Sequence, residues 1–378
     1  VFTNASLYPE VTGITNQFPG NPTVGGGILL GQHVGANTPL LGTANGMTNQ
    51  WHFYVITNTV GFTNAAFVTF LPPTLSLPRE GVNVNRIENS TRDEADIDLY
   101  VSKDFNLTNL SPATIAAADK SRTRGGTEFI VYTNSGAGDV YYIGVKSEDY
   151  MAAEYAIFAG FSLLPFTEGD GFGNWIVNGF PLPSVIPDGS PANPGASLVL
   201  GLSVQPAVIR RLIVTNSLYH ENLGDLVTTL SHSRKFAVLN NHRSADPGQY
   251  TFIYEDNDEE PGNPLLRHPD GPGKLRDFVG DQAVGVWLLT TVDNSLSQTG
   301  IVNGFRMLIE PSDTSGNSTN RVRANSFFYE VVDVPVGATN LQVCVDLVSP
   351  SPQPVELYVR YEAFPTRRTY DYFRSINP

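Results

Sequence analysis

In the segment Val355-Glu-Leu-Tyr-Val-Arg-Tyr361, residues Val355, Leu357, Val359 and Tyr361 share one face, and Glu356, Tyr358 and Arg360 share the other. Leu341, Val343, Val345 and Leu347 make a second apolar face, opposed by Gln342, Cys344 and Asp346. Successive side chains of a strand point to opposite sides of the sheet, so half-buried antiparallel strands carry this two-residue period. The alternation recurs along the chain, punctuated by 35 glycines and 27 prolines, while charged residues make up only 16%. Short strands joined by many turns account for that mixture. We expect an all-β fold of tandem antiparallel β-sandwich or jelly-roll domains. Met151 to Leu164 is the best candidate for a helix. Its aromatic residues Tyr155, Phe158 and Phe161, and the Pro165 that follows, suit a closing strand equally well.

At 378 residues the chain exceeds one ordinary sandwich, so two or three domains are expected. A hydrophobic content of 41% is that of a globular protein. The net charge is −14 and no Lys/Arg run stands out, which argues against nucleic acid or anionic membrane surfaces as partners. No apolar run reaches the ~18–20 residues of a membrane helix. Cys344 is the single cysteine, so no intrachain disulfide forms and sandwich cores must supply the stability. Opening at Val1, without an initiator Met or signal peptide, suggests a processed or excised segment. Asn4-Ala5-Ser6, Asn89-Ser90-Thr91, Asn106-Leu107-Thr108 and Asn317-Ser318-Thr319 fit the glycosylation pattern. A chain this rich in Asn, Ser and Thr also produces such matches by chance.

Between Val208 and Pro311 lie Gly224-Asp225-Leu226, Gly280-Asp281, Gly285-x-Trp287-x-Leu289, Val292-x-Asn294 and Thr299-Gly300. These spaced blocks resemble the P domain (homo B domain), the β-sandwich that follows the catalytic domain of kexin- and furin-type subtilases. The resemblance implies a companion to chemistry that carries none of its own, with Trp287 as a core residue. Residues 166–310 form this P-domain-like jelly-roll region.

Residues 35–165 contain NQWHFYVITN, EADIDLYVSKDF, GTEFIVYTN and DVYYIGVKSED. Through Asp96-x-Asp98-Leu99-Tyr100-Val101 and Tyr141-Tyr142-x-Gly144-Val145 this region resembles the bacterial pre-peptidase C-terminal domain. Residues 311–378 resemble an incomplete second copy: Phe328-Tyr329 answers Phe53-Tyr54, and Glu356-Leu357-Tyr358-Val359 answers Asp98-Leu99-Tyr100-Val101. Only 20 residues follow Tyr358. A remnant of two or three strands with an apolar face needs a cover. Residues 1–34 have no clear place and read as a linker, an arm or an added edge strand; Val1 to Pro22 is the obvious donor of a covering strand.

Catalytic signatures are missing: no Gly-Thr-Ser nucleophile motif, no Gly-x-Ser-x-Gly elbow and no His-Glu-x-x-His pair occur. His33, His52, His220, His232, His242 and His268 are scattered without metal-ligand spacing, and surface or turn roles are expected for them. Cys344 reads as an inert thiol. The densest charge is Glu255-Asp256-Asn257-Asp258-Glu259-Glu260. Such a loop is either a solvated connection or a Ca²⁺ site, since hard cations take several oxygen ligands. P domains resembling this one can bind structural calcium, so Asp256, Asp258 and Glu259, with Asp225 and Asp281, are the candidate ligands. Asp225 and Asp281 also sit beside glycines in turns. Asp93, Asp96 and Asp98 form a weaker group, and Asp98 should face outward because it alternates with Ile97 and Leu99. Trp51 and Trp175 belong to packing or to a binding surface.

The expected protein is a non-catalytic, secreted or cell-surface chain of bacterial accessory modules for binding or assembly. One alternative is a filament subunit joined by β-strand addition from copies of itself or from a protein partner. Another is the accessory C-terminal region of a secreted subtilisin-like peptidase.

Overall fold

The computed structural model describes residues 24–34, 51–71, 96–123, 125–148, 153–243, 247–259, 265–312, 322, 326–329, 343, 345, 354–361 and 364–376. Strands dominate, in several antiparallel sheets, as the alternation requires. The first sandwich has two four-stranded sheets. One runs β1 (Val24–Val34), β8 (Ala153–Ser162), β3 (Asn64–Phe70), β6 (Glu128–Tyr132) in spatial order. The other runs β2 (Trp51–Thr57), β7 (Val140–Ser147), β4 (Ile97–Ser102), β5 (Asp119–Ser121). Of the three readings open for the N-terminal residues, the added edge strand is the one realised over 24–34, where β1 pairs with β8. The sandwich therefore begins ahead of residue 35. Residues 1–22 and Cys344 lie outside the described residues.

The second sandwich is one eleven-stranded sheet folded over on itself. One half runs β9 (Thr167–Gly169), β10 (Trp175–Phe180), β19 (Gly300–Pro311), β13 (Ile209–His220), β16 (Gly248–Tyr254), β17 (Leu266–Arg267), with β11 (Ser184–Ile186) also on β19. The other half is β12 (Gly195–Ser203), β18 (Gly285–Asp293), β14 (Leu226–His232), β15 (Lys235–Asn241). β10 belongs to both: Trp175 to Asn178 pair with β19, and Gly179 and Phe180 pair with β12. Gly179 makes this crossing possible, because a Cβ there would sit 2.7 Å from the Cβ of Phe305. Trp287 is fully buried between the halves, as expected of a core tryptophan.

Two-residue alternation feeds two different cores here. In β3 and β8, Ala65, Phe67, Tyr155, Ile157 and Ala159 enter the first sandwich, while Ala66, Val68, Phe70, Ala156 and Phe158 face outward. In β12 and β18, Val199, Trp287 and Leu289 enter the second, while Leu198, Leu200, Leu202, Val286 and Leu288 face outward. The two outward sets form one buried apolar cluster together with Phe166 and Phe180. The sandwiches are thus joined by a third core. This explains the lack of alternation within Met151 to Leu164: Ala153–Ser162 forms strand β8, apolar on both faces because both are covered, and not a helix. Leu200→Ala is expected to cost about 2 kcal/mol, the low end for such a truncation. It should also speed amide hydrogen exchange in β3 and β8 of the other sandwich. Unchanged exchange there would show that the layer does not couple the two.

The outer face of the β2–β7–β4–β5 sheet is also covered. Trp51 stacks on Phe53 at 5.7 Å and tilts against Tyr100 at 4.8 Å, close beside Leu107 and Ile115. Ile115 lies on α1 (Pro112–Ala117). Gly144 lets the indole lie flat, since a Cβ there would meet it at 2.9 Å. Trp51 therefore packs. Asp98 does point away from the core, but it is buried rather than wet, and its carboxylate accepts a hydrogen bond from the Tyr100 hydroxyl at 3.1 Å. That burial raises its pKa.

The expectation that the histidines sit at the surface or in turns fails at three positions. His52 meets the Tyr155 hydroxyl at 2.8 Å, His220 Nε2 lies 3.3 Å from Asp293 Oδ2, and His232 stacks on Trp287 at 4.1 Å; all three are buried. Each occupies a strand position facing polar or aromatic partners that spacing along the chain does not reveal. His242 and His268 are exposed.

In the last region β20 (Val355–Val359) pairs with β21 (Tyr372–Ile376), forming a two-stranded sheet among the described residues. Phe328 and Tyr329 are not in a strand, although their counterparts Phe53 and Tyr54 are in β2. Val343 and Val345 are exposed and Val355, Leu357 and Val359 half-buried.

Candidate binding surface at the end of the second sandwich

Strand β13 opens with Ile209-Arg-Arg-Leu212, four consecutive buried residues that break the alternation. The register with β19 shifts between Ile209, opposite Pro311, and Arg211, opposite Glu310. A bulge of this kind re-aims side chains, and here both guanidinium groups end up buried. Arg210 Nη1 donates to Glu259 Oε1 at 2.8 Å, and Nη2 donates to Glu310. Arg211 donates to Glu255 at 3.4 Å and to Glu310 at 3.3 Å, and lies 3.6 Å from Glu259. Glu259 is fully buried. Charges so far from water persist only when paired.

The acidic loop is thus divided among cationic and amide partners. The Asp256 carboxylate accepts from the Leu275 and Arg276 amides, both at 2.8 Å. Asp258 is exposed and pairs with His268 at 2.8 Å. Asp281 pairs with Lys235 at 2.7 Å, and Asp225 ends the short turn Leu223–Asp225 beside Asp293. The structure brings Glu255 and Glu259 together around two arginines, pairs Asp281 with Lys235, and leaves Asp225 apart from both, next to Asp293. Among the described residues no group of three His, Cys, Asp or Glu has metal-binding geometry. The arginines were missed by motif reading. The available signal was two adjacent cations inside the apolar strand VIRRLIV, which demand buried anions elsewhere in the chain.

Burial raises the pKa of Glu259, partly offset by Arg210 and Arg211. Burial likewise raises that of Asp256, offset by Arg276 and the two amides. With Glu259 raised, the folded protein takes up a proton at a pH where the unfolded chain is still ionised. Its contribution to stability therefore rises as pH falls through the window from the raised value down to the ordinary 4.5. The stability of the parent protein relative to Glu259→Gln is expected to increase as pH is lowered toward 4.5, read from urea midpoints. A difference that is flat or falls over that range contradicts the assignment.

The C-terminal region reaches this cluster. The Arg210 guanidinium lies over the Phe328 ring, 4.8 Å from its centroid. Tyr329 is buried nearby, its pKa raised by burial and then by Glu259, and its hydroxyl donates to the Pro365 carbonyl at 3.0 Å. From there ring contacts run Tyr329–Phe364 and Tyr329–Phe327–Tyr358–Phe373 across the hairpin. The outer aromatics stay exposed: Tyr361 by 78%, Tyr372 by 51% and Phe373 by 39%. Beside Arg210 opens a groove of about 580 Å³, lined in part by Phe172, Trp175, Gln282, Glu310 and Phe328. Trp175 thus stands at a surface recess, half-buried. Aromatic walls and an ion-paired Arg–Glu floor suit contact with another molecule by packing and hydrogen bonding.

No family model and no curated protein matches the chain. Among solved structures it is similar to the complex of Aeromonas sobria serine protease with its chaperone, at 16% identity over 37% of this chain and a TM-score of 0.25. The chain spans only 26% of that protein's length. A protein from Eubacterium rectale described as secreted matches at 10% identity over 74% of both chains, with a TM-score of 0.19. The extracellular domain of ANXUR2 from Arabidopsis thaliana matches at 8% identity over 74% of this chain and 88% of its own, with a TM-score of 0.18. Scores this low do not define a shared fold. No helix among the described residues is long and apolar enough to cross a membrane.

Proposed function

We propose that the chain is a non-catalytic, secreted multi-sandwich protein for binding or assembly outside the cytoplasm. On this reading a P-domain-like sandwich is flanked by one complete and one partial pre-peptidase C-terminal-like unit. The observation that carries it is the β20–β21 hairpin, anchored through Phe328 and Tyr329 yet exposing Tyr361, Tyr372 and Phe373. A two-stranded sheet is marginal in water and an exposed aromatic patch favours a cover. The cover is another protein surface or an added strand, for which residues 1–22 are a candidate donor. In the native assembly the amides of Val355–Val359 and Tyr372–Ile376 should resist hydrogen exchange, losing protection when the assembly is dissociated. Equally fast exchange in both states refutes a covered hairpin. Peptide cleavage by homogeneous protein, abolished by one substitution within it, would refute the non-catalytic reading.

The acidic loop enters this proposal as a clamp on Arg210 and Arg211. Calcium is its competing occupant. Millimolar Ca²⁺ would then raise the melting midpoint of the second sandwich, and Asp256→Asn/Asp258→Asn would remove the response. We expect no such rise, because the Asp256 oxygens already hold two amides.

A further inference from the structure

The hairpin differs in charge from the body that carries it. Residues 355–378 hold four of the chain's 23 lysines and arginines but only three of its 37 carboxylates. The tail is therefore slightly basic, and the rest of the molecule strongly acidic. Arg360, Arg367, Arg368 and Arg374 are all exposed. Two of the tail's carboxylates are already engaged within it: Asp371 accepts the Tyr361 amide at 2.7 Å, and Glu356 accepts the Tyr358 hydroxyl at 2.8 Å. Between the arginines stand the exposed rings of Tyr361, Tyr372 and Phe373. Exposed arginine and aromatic side chains are residue types enriched at protein interfaces.

We propose that this hairpin docks head to tail on the acidic body of a second copy of the chain. Two hairpins facing each other would bring like charges together, whereas a neighbouring body supplies the opposite sign. Such a contact joins two different surfaces, so its repetition gives a ring or an open filament rather than a closed pair. The inference rests on the reading that protein covers the hairpin, and names that protein.

The test is light scattering on the full chain over a concentration series at low salt and at about 1 M salt, where charges are screened beyond about 3 Å. The mass should climb above 41.1 kDa with concentration at low salt and shift toward the monomer at high salt. Tyr361→Asp/Tyr372→Asp, at two exposed positions, should not self-associate while keeping the parent circular dichroism spectrum. Immobilised parent protein should still capture that variant, because its acidic body is intact. A parent chain that is monomeric at every concentration overturns self-association. If the parent captures only copies with an intact hairpin, the contact is hairpin to hairpin and the head-to-tail arrangement falls. A monomer whose hairpin nevertheless binds a different protein overturns this inference and leaves the assembly reading standing.

Discussion

Trp287→Ala is expected to destabilise the second sandwich by about 3–5 kcal/mol, the usual cost of truncating a large buried aromatic. Three contacts support the size of the effect. The indole is fully buried, lies parallel to the His232 ring with centroids 4.1 Å apart, and touches Phe278 at 5.2 Å. Its Nε1 donates to the Ala283 carbonyl at 3.0 Å, so the truncation removes a buried hydrogen bond as well as apolar area. His232 is itself bound to the Val286 and Gln282 carbonyls, which limits how far the site can collapse. Trp287→Phe should recover part of the loss, having kept a ring but not the donor. Denaturant titration followed by circular dichroism measures both. A loss below ~1 kcal/mol for the alanine variant, far under the usual cost, means that the indole does not hold this core together.

Arg210→Met should cost about 3–5 kcal/mol, the range for breaking a buried ion pair by removing one partner. The buried cluster sets two arginines against Glu255, Glu259 and Glu310, so losing one cation leaves three carboxylates around Arg211. Methionine keeps most of the side-chain volume, which assigns the loss to charge rather than to a cavity. The reciprocal check is Arg210→Met/Glu259→Gln, which removes a charge of each sign and should be more stable than Arg210→Met alone. Adding the Glu259 change without any recovery would mean that the two groups do not interact. Because Arg210 also lies over Phe328, the single variant should loosen the hairpin, seen as faster proteolysis between residues 329 and 376.

Much of the fold was legible from alternation alone. The segments around His52, Leu99, Val131 and Ile143, set apart by their resemblance to a small sandwich, became β2, β4, β6 and β7. The packing role of Trp287 was legible too, through its place in a resemblance. The alternation of Val355, Leu357 and Val359 likewise became strand β20. The candidate surface was legible only in halves. The acidic loop stood out as a charge run, but its partners on β13, some forty residues earlier, look like ordinary strand cations until the bulge turns them inward.

Period two determines which residues share a face of a strand, and local turn chemistry determines where strands stop; both are properties of neighbouring residues. What covers each face is not. That β3, β8, β12 and β18 are apolar on both sides because two sandwiches meet there, that Asp98 is buried despite facing outward, and that the acidic loop meets arginines were decided by contacts between distant segments. Those contacts depend on which sheets pack together, and hydrophobic burial is non-directional: it demands a cover for an apolar face without specifying which segment supplies it.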